Sequence, residues 1–269
     1  MKSEALRIIT LLTDFGSRDS YVAAMKGVIA GIAPGARVID ICHEVPPGDI
    51  FRAGIIWAEA TRYYPPGCVH VAVVDPGVGT RRRILAIEGR DATYLAPDNG
   101  VVGLVLSAEE VRQVVHVKDP RWFLPAVSNT FHGRDIFSPV AARLSLGLDP
   151  AELGSRLRSY KRIEEPRAQV RRRRVGGRSG AECVGQILYL DAFGNAVTNL
   201  RTVENKDLVN LRSGRLQIKA LSRTYSDVPP GRPLALVGSS GRIEIAVSQS
   251  NAERSLGLRP GDAVIALWR

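Results

Sequence analysis

The sequence predicts an α/β protein in two parts: a largely parallel sheet with helices on both faces over residues 1–160 and a smaller antiparallel β-barrel domain over 181–269, joined by a basic linker over 161–180. Three observations carry this. Short β-branched runs alternate with amphipathic stretches in the first part, the pattern of β-α-β units on a parallel sheet. After residue 180 the texture changes to short apolar runs broken by Gly, Asp and Pro, which suits an antiparallel barrel. Between them lies a block of arginines.

In order, Leu6 to Thr13 is an apolar strand, and Ser20 to Ile32 follows as a helix whose Val22, Met25, Val28, Ile29 and Ile32 keep to one face, with Asp19 or Ser20 as its cap. Ala36 to Ile41 is the second strand. Asp49 caps a helix that runs to about Tyr64 and is stopped by Pro65-Pro66-Gly67. Cys68 to Val74 is a buried strand, Ile84–Glu88 and Thr93–Ala96 form a hairpin, and Pro97-Asp-Asn-Gly100 is a turn opening a short apolar helix. Val114 to Lys118 is a further strand, and Ser128 to Pro139 leads into a helix over Val140 to Leu146. In the second part, strands are expected over Val184–Leu190, Leu216–Lys219, Pro233–Val237, Ile243–Ser248 and Ala263–Leu267, with one short helix near Asn251–Leu256.

A chain of 269 residues, 45% hydrophobic and 24% charged, is long enough for one large domain or two unequal ones. No run of about 18 apolar residues is present and the first residues do not form a signal peptide, so a soluble, cytoplasmic protein without membrane partners is expected. Cys42, Cys68 and Cys183 are widely spaced in apolar sequence, which suits reduced buried thiols, and the four histidines show no metal-ligand spacing. The net charge of +10 is concentrated between Arg156 and Arg178, where ten basic residues face only Glu164 and Glu165. With Tyr160 as its sole aromatic residue, that block reads as a solvated connection in preference to a nucleic-acid strip.

The stretch Val71-Ala-Val-Val-Asp-Pro-Gly-Val-Gly-Thr-Arg-Arg-Arg83 is the first candidate for chemistry. Asp75 stands at the carboxyl end of a strand, where open α/β sheets bind ligands. The glycines let the chain turn and bring an arginine back over the carboxylate, which makes Asp75 with Arg82 a candidate pair; the residues alone leave Arg81 and Arg83 open. Asp14, at a strand-to-helix junction, can accept hydrogen bonds from a ribose diol, or it can cap the helix. His132 lies just ahead of a helix start, where the positive dipole end favours a neutral ring able to take a proton from water. Asp191, Phe193 and Asn195 lie in a polar loop suited to an ammonium group, a purine face and a purine edge, and Gly238 to Arg242 forms a second such loop.

Seven separated blocks then carry a resemblance: Leu11-Leu-Thr-Asp-Phe-Gly16, Val38 to Pro47, Val74 to Gly79, Ala96 to Gly100, Phe131-His-Gly-Arg-Asp-Ile-Phe-Ser-Pro139, Asp191-Ala-Phe-Gly-Asn195 and Gly238 to Val247. Together they resemble the S-adenosylmethionine hydroxide adenosyltransferases, water-using relatives of the fluorinase and chlorinase enzymes. The resemblance implies hydrolysis of S-adenosylmethionine to adenosine and methionine, with Asp75, Arg82 and His132 handling the water. It puts Asp14 on the ribose, Asn195 and Phe193 on adenine, and Asp191, Ser239 and Ser240 at the methionine end, with Asp19 assisting. It implies a homotrimer with sites at subunit interfaces, a nucleoside substrate and no cofactor or metal. The halide-using relatives have a tryptophan before the aspartate matching Asp49, where this chain has Gly48, and an additional loop for which the stretch between Asn99 and Val114 is too short. Two other classes stay open: a halogenase of the same superfamily, and a ligand- or nucleic-acid-binding protein without catalysis.

Overall fold

A computed structural model describes residues 7–106 and 111–269 as two compact units, up to Glu164 and from Glu165 onward. Leu6 and residues 107–110, within the segment expected to lack an extra loop, lie outside the described residues.

The first unit is built on a seven-stranded sheet: β1 (Ile8–Thr13), β2 (Arg37–Cys42), β3 (Cys68–Val73), β4 (Ile84–Gly89), β5 (Ala92–Pro97), β6 (Val111–Val117) and β7 (Gly154–Arg156), in the order β2-β1-β3-β5-β4-β6-β7. Three neighbouring pairs, β2/β1, β1/β3 and β3/β5, are parallel. The other three, β5/β4, β4/β6 and β6/β7, are antiparallel, so the sheet is partly parallel where a largely parallel one was expected. The reason is local: β4 and β5 are joined by the tight Arg90-Asp91 turn, and a connection that short can only reverse the chain.

Strands β1 and β3 are buried along their whole length, as β-branched and leucine-rich runs covered on both faces must be. On one face α1 (Tyr21–Ile32) and α3 (Ser138–Ser145) place Met25, Ile29, Val140 and Ala141 against Ile9, Leu11, Val69, Val71 and Val73. On the other, α2 (Ile50–Thr61) places Ala53 and Trp57 against Leu12, Ala72 and Val74. Asp49 caps α2, its Oδ1 accepting from the backbone of Arg52 at 2.9 Å, whereas Ser20 precedes α1 without a side-chain bond. The Pro97–Gly100 turn opens only a single 3-10 turn, Val101–Gly103. Ahead of α3, Gly133–Phe137 forms a π-helical turn, so helical structure begins before the expected Val140. Because α1 leads from β1 to β2 on one side and α2 returns the chain to β3 on the other, the strand order reverses between β1 and β3.

The second unit is a mostly antiparallel nine-stranded sheet, nearly barrel-shaped, of β8 (Gln169–Val175), β9 (Arg178–Leu190), β10 (Ala196–Thr198), β11 (Leu208–Ser213), β12 (Leu216–Ile218), β13 (Leu221–Ser222), β14 (Pro233–Val237), β15 (Ile243–Val247) and β16 (Ala263–Trp268). Only β13/β14 is parallel. Asn251 caps the short α4 (Ala252–Leu256), its Oδ1 accepting from Arg254 at 2.9 Å. The segment expected as a basic linker differs: β8 pairs with β9 across Gly176-Gly177, and its arginines decorate an exposed hairpin. Within it, Arg173 pairs with Glu182.

Candidate active site

The loops that follow β1, β2, β3 and β5 meet at the carboxyl edge of the parallel strands, where the strand order reverses. In open α/β sheets that crevice is the ligand site. Asp14 follows β1 and its Oδ2 accepts the Gly48 backbone N–H at 2.8 Å, so it caps no helix; its Oδ1 has no protein partner among the described residues. Gly48 also approaches the Pro76 ring, and Asn99 Nδ2 donates to the carbonyl of Val74 at 2.8 Å, tying the turn after β5 to the end of β3.

Asp75 and His132 are joined by Arg82. Its Nε donates to Asp75 Oδ1 at 2.9 Å, its Nη2 donates to Asp75 Oδ2, and the same Nη2 lies 2.9 Å from His132 Nδ1. The guanidinium is the choice the sequence left open among three. Arg81 is exposed, and Arg83 turns away to Asp98, its Nε 2.7 Å from Oδ2. The Asp75 side chain is 4% exposed and that of Arg82 10%, so the pair is nearly dry and its hydrogen bonds hold it in one geometry. Phe137 lies 5.9 Å from the guanidinium carbon.

Two features bring these loops together. A Cβ added at Gly79, which has φ +76, would collide with the Asn129 carbonyl oxygen, so only glycine lets the arginine turn approach the histidine loop this closely. The histidine loop is itself fastened by Asp135, whose buried carboxylate accepts from the Ser128 backbone at 2.8 Å and from Arg134 Nε at 2.6 Å. Burial raises the Asp135 carboxyl, but the bonds from Arg134 and Ser128 outweigh it and hold it below the ordinary range. On the other side of the loop, Phe131 packs edge-on against Tyr21 at 5.1 Å and Phe15 at 5.9 Å, which couples the residue after Asp14 to the residue before His132.

Arginine can only donate, so His132 Nδ1 is the acceptor and the neutral ring carries its proton on Nε2. Burial lowers the His132 pKa and the charge of Arg82 lowers it further, against smaller opposing effects of Asp75, Asp135 and a backbone bond to Ser128. Burial and the neighbouring cation thus shift His132 in the direction of the neutral ring expected from the sequence, and the residue stands, as expected, at the start of a helical turn, Gly133–Phe137.

Asp19 is exposed ahead of α1 and makes no side-chain bond among the described residues. In the second unit Asp191 organises its own loop. Its Oδ1 accepts from the backbones of Phe193 and Asn195 at 2.9 and 2.8 Å, and its Oδ2 accepts from Asn195 Nδ2 at 3.0 Å. The same loop leaves Phe193 80% exposed. Ser239 is exposed on the turn between β14 and β15, and Ser240 Oγ is buried without a partner among the described residues, which is costly for a hydroxyl. In the same unit Tyr225, 45% exposed, donates from its hydroxyl to Glu244 at 3.2 Å. Burial first, then the charges of Glu244 and Asp191, push its pKa up to about 12. Among the described residues no group of three or more His, Cys, Asp or Glu side chains is placed to hold a metal, and no helix is long and apolar enough to cross a membrane.

Comparison with known proteins gives a consistent picture. Residues 9–154 match the model of the SAM hydroxide adenosyltransferase N-terminal domain and residues 185–265 that of the C-terminal domain. The chain is 40% identical over 264 residues to a protein of Thermus thermophilus named (R)-S-adenosyl-L-methionine hydrolase, covering 95% of this chain and 98% of that one. More distantly, it is 23% identical to a fluorinase of Nocardia brasiliensis, over 96% and 95% of the two chains. The crystal structure of an uncharacterized conserved protein from Thermotoga maritima superposes with a TM-score of 0.85 at 34% identity, covering 96% of this chain and 99% of that one.

Proposed function

The chain belongs to the SAM hydroxide adenosyltransferase family, and from that premise we propose that it is an S-adenosylmethionine hydrolase in which Asp75, Arg82 and His132 deliver water to the ribose C5′. The observation that supports this assignment of roles is the single guanidinium that bonds the Asp75 carboxylate and the imidazole of His132, 50 residues further along the chain from Arg82.

The chemistry asks little of the leaving group. As the water oxygen bonds to C5′, the C5′–S bond breaks and its electron pair returns to sulfur, so methionine leaves as a neutral thioether needing no acid. The demand is on the nucleophile, which must lie in line with the C5′–S bond and be stripped of bulk solvent. Arg82 spends Nε and Nη2 on Asp75 and His132, which leaves the N–H groups of Nη1 to hold the oxygen as negative charge develops. Asp75 fixes the plane of the guanidinium. The one basic position on the resting imidazole is Nδ1, and the water proton passes there when the water takes the place of the Arg82 donor. The net products are adenosine, methionine and a proton, and the reaction requires neither a metal nor a redox partner.

Asp14 presents its free Oδ1 to the ribose hydroxyls, and Asp19 assists from the start of α1. Asn195 and Phe193 meet adenine by its edge and face. Asp191 holds the ammonium group with the lone pair its loop leaves free, and Ser239 and Ser240 meet the carboxylate; the unpaired Ser240 hydroxyl supports that assignment. The working form is a homotrimer in which second-unit loops of one subunit complete the site of another, tested by light scattering of the pure protein.

A halide in place of water is the competing reaction. Chromatography of S-adenosylmethionine incubated with protein and excess chloride or fluoride separates the two. Adenosine and methionine in equal amounts are expected, and a halogenated nucleoside would overturn the reading.

A further inference from the structure

Beyond the residues that meet substrate, the turn carrying Asp14 is gripped at nearly every position by the segment that follows β2. Thr13 Oγ1 lies 2.9 Å from His43 Nδ1 and also accepts the Phe15 backbone N–H at 3.3 Å. The Gly16 N–H donates to the His43 carbonyl at 2.8 Å, Ser17 Oγ donates to Glu44 at 2.8 Å, and Asp14 itself receives Gly48. On the far side of the imidazole, Nε2 lies 3.0 Å from Asp40 Oδ1 as a charge contact without the alignment of a hydrogen bond, and Asp40 Oδ2 is 2.6 Å from Lys26 Nζ. A carboxylate beside Nε2 favours the tautomer with its proton on that nitrogen, in which Nδ1 accepts from the Thr13 hydroxyl while the same hydroxyl oxygen accepts the Phe15 N–H. Thr13 is wholly buried, which rules it out as a nucleophile despite its acid–imidazole–hydroxyl arrangement.

We propose that His43 is a positioning residue for ribose recognition: clasped between Asp40 and Thr13, it fixes the turn after β1 so that Asp14 Oδ1 faces the 2′- and 3′-hydroxyls. Side chains at C-terminal strand ends project from a rim with no element packed above them, so orientation there has to come from bonds of this kind. The inference rests on the hydrolase reading for its substrate, but not for its readout, since nucleoside binding is measured without turnover.

The test uses calorimetric affinities for adenosine and 2′-deoxyadenosine in wild type, His43→Gln and His43→Asn, with steady-state kinetics on S-adenosylmethionine alongside. Glutamine reaches the Nε2 position and keeps Asp40, but removes the acceptor for Thr13; asparagine places Oδ1 near Nδ1 and keeps it. Wild type is expected to favour adenosine about tenfold or more, the value of a hydrogen bond to a charged group. In His43→Gln that preference falls by about two- to tenfold, KM rises by a similar factor and kcat stays within about twofold. His43→Asn restores the preference. Thr13→Val, nearly isosteric, reproduces the His43→Gln result should the glutamine variant fold poorly. Equal weakening of both nucleosides, or an unchanged preference, would overturn the proposal, as would a wild type that hydrolyses S-adenosylmethionine without preferring adenosine. A wild type that prefers adenosine yet leaves S-adenosylmethionine intact would instead sink the hydrolase reading and spare His43.

Discussion

Arg82→Lys isolates what the guanidinium contributes beyond its charge. Arginine makes three bonds here, two to Asp75 and one to His132, and in the proposed mechanism Nη1 is the group that meets the reacting oxygen. An ammonium on a shorter stem keeps the ion pair with Asp75 but cannot span both partners and still face a water. The buried carboxylate stays paired, so the variant should lose only about 1–3 kcal/mol, the worth of one or two bonds to charged groups. Arg82→Ala would leave that carboxylate alone in a dry site, at roughly 3–5 kcal/mol. Catalysis should respond the other way round: kcat for Arg82→Lys should fall about 10²- to 10⁴-fold, because the oxyanion donor and the histidine orientation go together. Calorimetric unfolding gives the first quantity and chromatography of adenosine release the second. A lysine variant that is stable and retains more than a tenth of wild-type kcat would show that charge alone suffices, and the planar-fork argument would fail.

Other consequences follow from the same geometry. Gly79→Ala should lower kcat roughly 100-fold by pushing apart the arginine and histidine loops, whereas Gly67→Ala, with φ +88 and nothing within 4 Å of an added Cβ, should cost stability but leave kcat unchanged. For His132, kcat should rise with pH through the histidine pKa and then level. Because burial and Arg82 lower that pKa, the rise should be complete at a lower pH than an ordinary histidine allows, and His132→Asn should abolish it. His70, buried on β3 with Nδ1 2.9 Å from Thr10 Oγ1, has its pKa lowered to about 4 by desolvation. The unfolded chain takes up its proton near 6.5, so stability from the neutral ring is fully present above that pH and is lost between 6.5 and 4, by up to about 3 kcal/mol. Urea unfolding across that window should be steeper in pH for wild type than for His70→Gln, and identical slopes would refute the assignment.

What could be read in the sequence follows from how local each feature is. The Asp75 turn, the Asp49 cap and the buried runs of β1 and β3 depend on neighbours in the chain, and their residue types announce them. Which of three consecutive arginines faces Asp75 depends instead on Asp98 capturing Arg83 from another turn, and nothing in the local spacing records that. The arginine hairpin escaped because an edge strand exposed on both faces has no alternation of apolar and polar residues to betray it. The three-residue β10 vanished inside what looked like a polar loop. The grip of His43 on Thr13 spans 30 residues and could be seen only as a cluster of polar residues after β2.

In the proposed mechanism solvent oxygen attacks C5′. Turnover of S-adenosylmethionine in oxygen-18 water, followed by mass spectrometry of the nucleoside, tests it directly. One heavy oxygen in the adenosine 5′-hydroxyl is the result this mechanism requires; adenosine carrying only light oxygen, or a 5′-substituent other than hydroxyl, would contradict it.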